Sequence, residues 1–128
     1  MIGKAVYSIL NGTAAVTTIV SDRIYPLRNS ELATYPAITY LQIAKTPTDT
    51  KDAVSGLDRI DVDIDLFHTN YLSLLTLADA VRTALDQVSG TYGGLTISNC
   101  KFVSEFDGID DAAGLCRITQ QYRFIVIR

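Results

Sequence analysis

Residues 59–67 read RIDVDIDLF, and this short stretch decides which fold the rest of the chain can build. Three aspartates, Asp61, Asp63 and Asp65, occupy every second position. The residues between and after them are apolar: Ile60, Val62, Ile64 and Leu66. Strict alternation of this kind is typical of a half-exposed β-strand, most often in an antiparallel sheet. The stretch therefore predicts a strand with one buried face and one acidic face, and the acidic face needs a role.

A metal site or an active site is one interpretation of the aspartates. Alternate residues of a strand lie ~6.5–7 Å apart on one face, too far for all three to ligate one ion at ~2.0–2.6 Å. The D-x-D-x-D-G calcium loop also fails, because Leu66 stands at the glycine position. His68 is the only histidine, and no zinc motif or nucleophile motif accompanies it. A small metal-dependent enzyme or ligand-binding domain that uses these four residues is the less favoured alternative, and we predict no cofactor.

The last strand of the sequence offers the aspartates cationic neighbours. In LCRITQQYRFIVI (115–127), Arg117 and Arg123 fall on the same face as Thr119 and Gln121. If this strand lies beside 59–67, arginines face aspartates, and such cross-strand pairs stabilise a sheet by ~0.2–1 kcal/mol. The acidic face is then a charged surface for a neighbouring strand or subunit. The residues predicted to form a subunit or partner interface are Asp61, Asp63, Asp65, Arg117 and Arg123.

Helical and strand patterns follow one another along the rest of the chain. Apolar residues at helical spacing predict a helix over 2–10, a short second helix that Thr13 can cap, and a long helix over about 71–88 capped by Thr69 or Asn70. Strands are predicted at 37–44, 59–68, 95–103 and 115–127. The order α(α)ββαββ predicts a single α+β domain over 1–128. Its four-stranded, mostly antiparallel sheet carries the N-terminal helices and the long helix on one face.

Composition and the remaining motifs exclude several classes of function. The net charge is −3 with scattered Lys and Arg, whereas a nucleic-acid binder carries a basic stripe. No stretch approaches the ~20 apolar residues that span a bilayer. Cys100 and Cys116 are predicted to be sheet or core residues on adjacent strands, where they might touch. Gly90, Gly93 and Gly94 follow a helix and precede a strand, which is the order of a turn and not of a phosphate loop. We predict that the protein is not an enzyme.

Two polar segments lack a clear pattern and are predicted to contact partners. Residues 45–57, KTPTDTKDAVSGL, are predicted to form a long loop, which in compact domains is usually functional or mobile. Residues 105–114, EFDGIDDAAG, are predicted to be an acidic, solvated hairpin tip. The candidate contact residues in these segments are Thr48, Asp49, Lys51, Asp52, Asp107, Asp110 and Asp111.

The order of these motifs resembles the tail-completion family of long-tailed bacteriophages, which comprises tail terminator and tail-to-head joining proteins. The matching stretches are RIYP at 23–26, YPAITY at 35–40, DVDIDLF at 61–67, the Ala-Asp-x-Val-x-x-x-Leu helix from Ala78 to Leu85, and the closing strand RITQQYRFIVI. The similarity covers residues 13–88 and 115–127. Residues 45–57 and 105–114 depart from it.

The resemblance implies a structural protein of the virion tail or neck, assembled in the bacterial host cytoplasm. In that family a homo-hexameric ring caps the tail tube, with the major tail tube protein on one side and a head-side connector or stopper protein on the other. Genome DNA passes through the lumen without specific binding, so lumen-facing positions are expected to be acidic or neutral. A head-side connector (stopper) subunit is the alternative within the same class.

Overall fold

The computed structural model describes residues 2–21, 23–26, 36–47, 56–110 and 115–127. Within these ranges the chain forms three helices and six strands. The helices are α1 (Ile2–Asn11), α2 (Ala14–Val20) and α3 (Tyr71–Leu85). The strands are β1 (Ile24–Pro26), β2 (Ala37–Pro47), β3 (Leu57–His68), β4 (Gly90–Tyr92), β5 (Leu95–Asp110) and β6 (Leu115–Ile127).

The six strands form one mixed sheet in the order β1-β2-β3-β6-β5-β4. All neighbours are antiparallel except β1 and β2, which are parallel. The α+β class and the four long strands are confirmed, but the prediction of only four strands was wrong. The two additional strands, β1 and β4, have three residues each, too few to show an alternating pattern.

Helix α1 buries the apolar stripe that its sequence spacing predicts. The buried side chains of α1 are Ile2, Ala5, Val6, Ile9 and Leu10. Thr13 occupies the N-cap position of α2, but its hydroxyl makes no capping bond and donates to the Ile9 carbonyl at 2.8 Å. No helix in the described ranges is both long enough and apolar enough to cross a membrane.

Helix α3 starts as predicted and ends earlier. The side chain of Asn70 accepts hydrogen bonds from two N–H groups of the first turn, at 2.9 and 3.2 Å. The helix ends at Leu85 and not near residue 88. Gln87 takes a positive φ of 62° and donates its N–H to the Cys100 carbonyl of β5 at 2.7 Å. Pairing with the sheet thus terminates the helix before its apolar pattern runs out.

Parts of the two segments predicted as loops are strand. β2 continues to Pro47 and β3 begins at Leu57, which shortens the predicted 45–57 loop from both ends. β5 continues to Asp110, so residues 105–110 pair with β6 and do not form a hairpin tip. Cross-strand pairing over this length outweighs the weak strand preference of acidic residues and glycine. Residues 48–55 and 111–114 lie outside the described ranges.

The helices cover one face of the sheet, and the middle of the other face is polar. In the core, the buried side chains of the three helices pack against every second side chain of β3 and β6. The opposite side chains form what we call the polar face, made by Arg59, Asp61, Asp63 and Asp65 of β3 and Arg117, Thr119, Gln121 and Arg123 of β6. This division confirms the alternation predicted from 59–67 and 115–127.

Candidate functional site

Asp61 and Arg123 face each other across the two central strands. The β3–β6 register places them directly opposite, and Arg123 Nε donates to Asp61 Oδ1 at 3.0 Å. The side chains are 44% and 31% exposed, so water screens the pair and it contributes less than about 1 kcal/mol. The predicted cross-strand pairing of aspartate with arginine is confirmed at this position.

Arg117 does not meet an aspartate, and that prediction was wrong. The register places it opposite Phe67 of β3 and Gly108 of β5. Its guanidinium lies against Gly108, where an added Cβ would stand 2.7 Å from Nη2. Arg117 Nε is buried without a hydrogen-bond partner among the described residues, as is Arg59 Nε at the other end of the face. Charge alone suggested the pairing, whereas the register is set along the whole length of the strands.

Neutral donors, and not arginines, face the other two aspartates. Thr119 lies opposite Asp65 and donates its hydroxyl to Oδ1 at 2.6 Å. Gln121 lies opposite Asp63 and hydrogen-bonds its carboxylate, while the Gln121 carbonyl accepts from Ser104 at 2.6 Å. The pKa of Asp63 is raised, mainly because partial burial disfavours its charged form and then because Asp65 and Asp61 are negative; the Gln121 hydrogen bond opposes this. The fold therefore disfavours the ionised form of the Asp63 side chain.

Removing the charge of Asp63 is expected to stabilise the protein at neutral pH. A raised carboxyl pKa means that the folded state binds the proton more tightly than the unfolded state. The free energy of unfolding therefore falls as pH rises from about 3.9, the unfolded value, through the raised folded value. Asp63→Asn should raise it at pH 7 by up to about 1 kcal/mol, from two repulsions at ~7 Å. Urea denaturation at pH 7 and at pH 3 measures the gain, which should vanish at pH 3.

Asp61→Asn is the matched control for this prediction. It also removes one of three neighbouring charges, but it breaks the ion pair with Arg123. We expect no gain at pH 7. Equal stabilisation by both variants would contradict the assignment of the unfavourable charge to Asp63.

The aspartates and His68 do not converge on a metal. His68 is at the end of β3, and its position in the alternation puts it on the side opposite the three aspartates. Its Nδ1 accepts the N–H of Asn70 at 3.0 Å, and burial lowers the pKa of the imidazole. The structure brings no three His, Cys, Asp or Glu side chains of its described residues into a metal-holding group. His68 is a polar residue that leads from the strand into α3.

The cysteines do not form a reactive pair. Cys100 lies opposite Phe124 and Cys116 opposite Ile109, so eight residues of β6 separate the two levels. Both cysteines are free. Burial raises the pKa of the Cys100 thiol to about 12, which leaves it protonated and unreactive at neutral pH. The prediction that they might touch was wrong, whereas Cys100 is the core residue expected.

Two β-bulges overhang the polar face from either side, and the sequence analysis missed them. The register of β2 shifts between Gln42 and Ala44, and that of β5 shifts between Phe102 and Ser104. The extra residues, Ile43 and Val103, are 53% and 47% exposed. Together with Asp61, Asp63, Gln121 and Arg123 they line a cleft of about 190 Å³. The one sequence signal was the adjacent apolar pair Phe102-Val103, which breaks the alternation of β5.

Only part of the predicted contact loops lies in the described ranges. Asp107 is an exposed residue of β5 and accepts a hydrogen bond from the Tyr71 hydroxyl at 2.7 Å, which raises the pKa of Tyr71. Asp110 pairs with Leu115 near the end of β5. The other predicted contact residues, Thr48, Asp49, Lys51, Asp52 and Asp111, lie outside the described residues.

The sequence of this chain matches a known protein family. The family model of tail completion protein gp17 matches residues 4–127. The chain belongs to this family. A tail completion protein is a structural component of the virion tail and not an enzyme. The predictions that the chain is a structural tail protein and that it is not an enzyme are therefore confirmed.

One solved structure has the same fold as this tail completion protein. A chain in the virion of a native gene transfer agent particle matches with a TM-score of 0.80 over 99% of this chain and 95% of that chain. The two sequences are 17% identical, so this likeness concerns the fold alone. No curated protein matches the sequence.

Proposed function

We propose that this chain is the subunit of a homo-hexameric ring that terminates the tail tube and joins it to the head. One side of the ring binds the major tail tube protein, and the other binds the head-side connector. The observation that carries the proposal is the family match over residues 4–127. In this role the protein acts through its surfaces, and its interface residues are Asp61, Asp63, Asp65, Arg117 and Arg123.

The exposed apolar side chains support a role in assembly. Leu41 and Ile43 of β2 are 42% and 53% exposed, and Val103 and Phe106 of β5 are both 47% exposed. A further group stands at the start of α3, where Leu72 is 74% exposed. Soluble monomers rarely expose large contiguous apolar patches, and those that occur are often interaction sites. Several separate contacts are what a ring subunit with neighbours on both sides and partners above and below requires.

DNA is proposed to pass through the ring without specific binding. The net charge of −3 provides no excess of cations to hold the phosphates. On the polar face the cations Arg59, Arg117 and Arg123 are interspersed with the three aspartates, so no continuous basic stripe forms there. We expect the positions that line the lumen to be acidic or neutral.

Native mass spectrometry of the purified protein, alone and mixed with isolated tail tubes, tests the proposal. We expect six copies in the assembled form and a ring at one end of each tube. A protein that stays monomeric under both conditions and never joins tube ends would contradict it. Fractionation against heads that carry a portal, in parallel with tubes, separates the terminator from the head-side alternative, because a stopper subunit would sediment with heads.

A further inference from the structure

The long strands β2 and β5 each have one edge that the described strands cover only in part. β1 covers only Ile38–Tyr40 of β2, so 41–47 pair with β3 on one side and with no described strand on the other. β4 covers only Leu95–Ile97 of β5. Further along this edge of β5, the segment after α3 forms hydrogen bonds with the Cys100 carbonyl and the Phe102 N–H. From 103 to 110, β5 has β6 on one side and no described strand on the other.

These two free edges are exposed and can pair with another strand. Along 41–47 every side chain is exposed except the half-buried Ala44, and 103–108 contain only exposed and half-buried residues. Unpaired N–H and C=O groups on an edge strand form a template for another strand. The free segments contain seven and eight residues (41–47 and 103–110), which is the length of an ordinary strand.

We infer that the β2 edge of one copy pairs with the β5 edge of the next copy, so that the sheet continues from subunit to subunit around the ring. This inference rests on the proposed ring. The directions agree: three successive antiparallel pairings separate β2 from β5, so the two strands run in opposite directions. Copies related by rotation about an axis along the strands therefore bring β2 and β5 together as an antiparallel pair.

The side chains of the two edges are complementary on both faces of the sheet. On the polar side, the β2 edge presents Leu41 and Ile43, and the β5 edge presents Val103 and Phe106. On the helix side, Lys45 lies level with Ile60, and its ammonium is 3.8 Å from Asp58 with the side chain 54% exposed.

The β5 edge carries acidic residues on this same helix side. Glu105 lies opposite Gln120 and Asp107 opposite Ile118, and both acids are exposed. An apolar seam on one face, and a cation on one edge opposite two anions on the other edge, point to a second copy of this chain as the occupant, because the two edges carry opposite charge.

The positions of the two free edges along the strand direction fit a closed ring. The β2 segment lies level with residues 58–63 of β3. Through β6, the β5 segment lies level with residues 63–68 of β3. Successive copies are thus offset by about five residues along the strands when their free edges meet. Closing a sheet on itself requires tilted strands and a stagger of this kind.

Three matched substitutions test the edge pairing. Ile43→Asp places a charge on the β2 edge and Phe106→Asp places one on the β5 edge. Ile127→Asp makes the same change at a residue of the interior strand β6 whose exposure, 48%, is close to that of Phe106 at 47%. Because pairing would bury the new carboxylate, each edge variant should associate about a hundredfold or more weakly, whereas Ile127→Asp should assemble like the unmodified chain. Native mass spectrometry at matched concentrations reads out the assembly.

Mixing the two edge variants gives the sharpest result. Ile43→Asp keeps an intact β5 edge and Phe106→Asp keeps an intact β2 edge. One intact junction can therefore form between the two different variants, and we expect a 1:1 heterodimer that does not grow further. An interface that pairs like edges, β2 with β2, would instead give homodimers of Phe106→Asp and no heterodimer, and would overturn the inference.

Hydrogen exchange on the unmodified protein keeps the test independent of variant folding. When assembled rings are diluted to monomers, the amides of 41–47 and 103–110 should lose protection, while those of β3 and β6 keep it.

Rings that form in the unmodified protein and in both edge variants would overturn the edge pairing and leave the proposed function standing. Rings in both variants that no longer attach to tail tubes would assign the edges to the tube protein. An unmodified chain that never assembles would overturn the ring itself.

Discussion

Gln120→Leu is expected to lower the free energy of unfolding by about 2–3 kcal/mol, although it replaces a polar side chain by an apolar one of similar size. Gln120 is fully buried on the helix side of β6. Its amide donates to the Ala78 carbonyl of α3 at 3.0 Å and to Glu105 of β5 at 2.8 Å, and its carbonyl accepts from the Tyr122 hydroxyl at 2.7 Å. Leucine would leave the buried Tyr122 hydroxyl without a partner, which costs about 1–3 kcal/mol in addition to the lost bonds. Urea denaturation at one fixed protein concentration measures the loss.

The double variant Gln120→Leu/Tyr122→Phe is the control for this prediction. Removing the hydroxyl removes the unpaired group, so the double variant should recover more than half of the loss. The two substitutions are therefore expected to be strongly non-additive. Additive losses would mean that the hydrogen bond between Gln120 and Tyr122 does not contribute to stability. The unpaired hydroxyl is then not the cause of the destabilisation.

Gln120 also shows how far the sequence alone could lead. In RITQQYRF the alternation places Gln121 on the polar face and Gln120 among Ile118, Tyr122 and Phe124 on the buried face. The side of each residue was therefore predictable. The partners of the buried amide were not, because they come from α3 and β5 and depend on how these elements pack. Periodicity determines the face of a residue, and tertiary packing determines its neighbours.

The same distinction explains the outcome at the polar face. Period-two alternation in 59–67 and 115–127 predicted two strands, their buried faces and arginines opposite aspartates, which the structure shows for Asp61 and Arg123. It could not predict that Arg117 lies against Gly108, since that contact depends on the register of β5, which shifts at two bulges. A bulge adds one residue to a strand and is stabilised by pairing across the sheet. Nothing local in the chain specifies where that pairing shifts, apart from the Phe102-Val103 step.

The edges of the sheet were the least predictable part of the fold. β1 and β4 are short, and their parallel or antiparallel pairing is decided by contacts with distant strands. The acidic composition of 105–110 favoured a solvated tip, yet these residues continue β5 and carry the edge that we assign to the next subunit. Residues selected for contact between chains need not agree with the local preference of a single chain. Local sequence preference is therefore least informative where the proposed assembly surface lies.

Gly93→Ala is expected to lower the free energy of unfolding by about 2–5 kcal/mol, because two separate costs coincide at this turn. Gly93 has a φ of +57°, a left-handed conformation that costs a residue with a side chain about 1–2 kcal/mol. An added Cβ would also stand 2.9 Å from the backbone carbon and the Cβ of Lys4, and 3.1 Å from the Ala5 nitrogen. These atoms belong to α1, whose backbone cannot yield without moving the helix off the core, and such overpacking costs a further 1–3 kcal/mol or so.

Gly56→Ala separates the two costs. Gly56 has a similar positive φ of +75°, but an added Cβ there meets no atom of the described residues within 4 Å. We expect it to lose only the conformational part, about 1–2 kcal/mol, so the difference between the two variants measures the contact between the β4–β5 turn and α1. Urea denaturation of both variants, at the same protein concentration, gives that difference. Equal losses would show that α1 moves away from the turn at no cost, and the first helix would then be held to the sheet by its buried side chains alone.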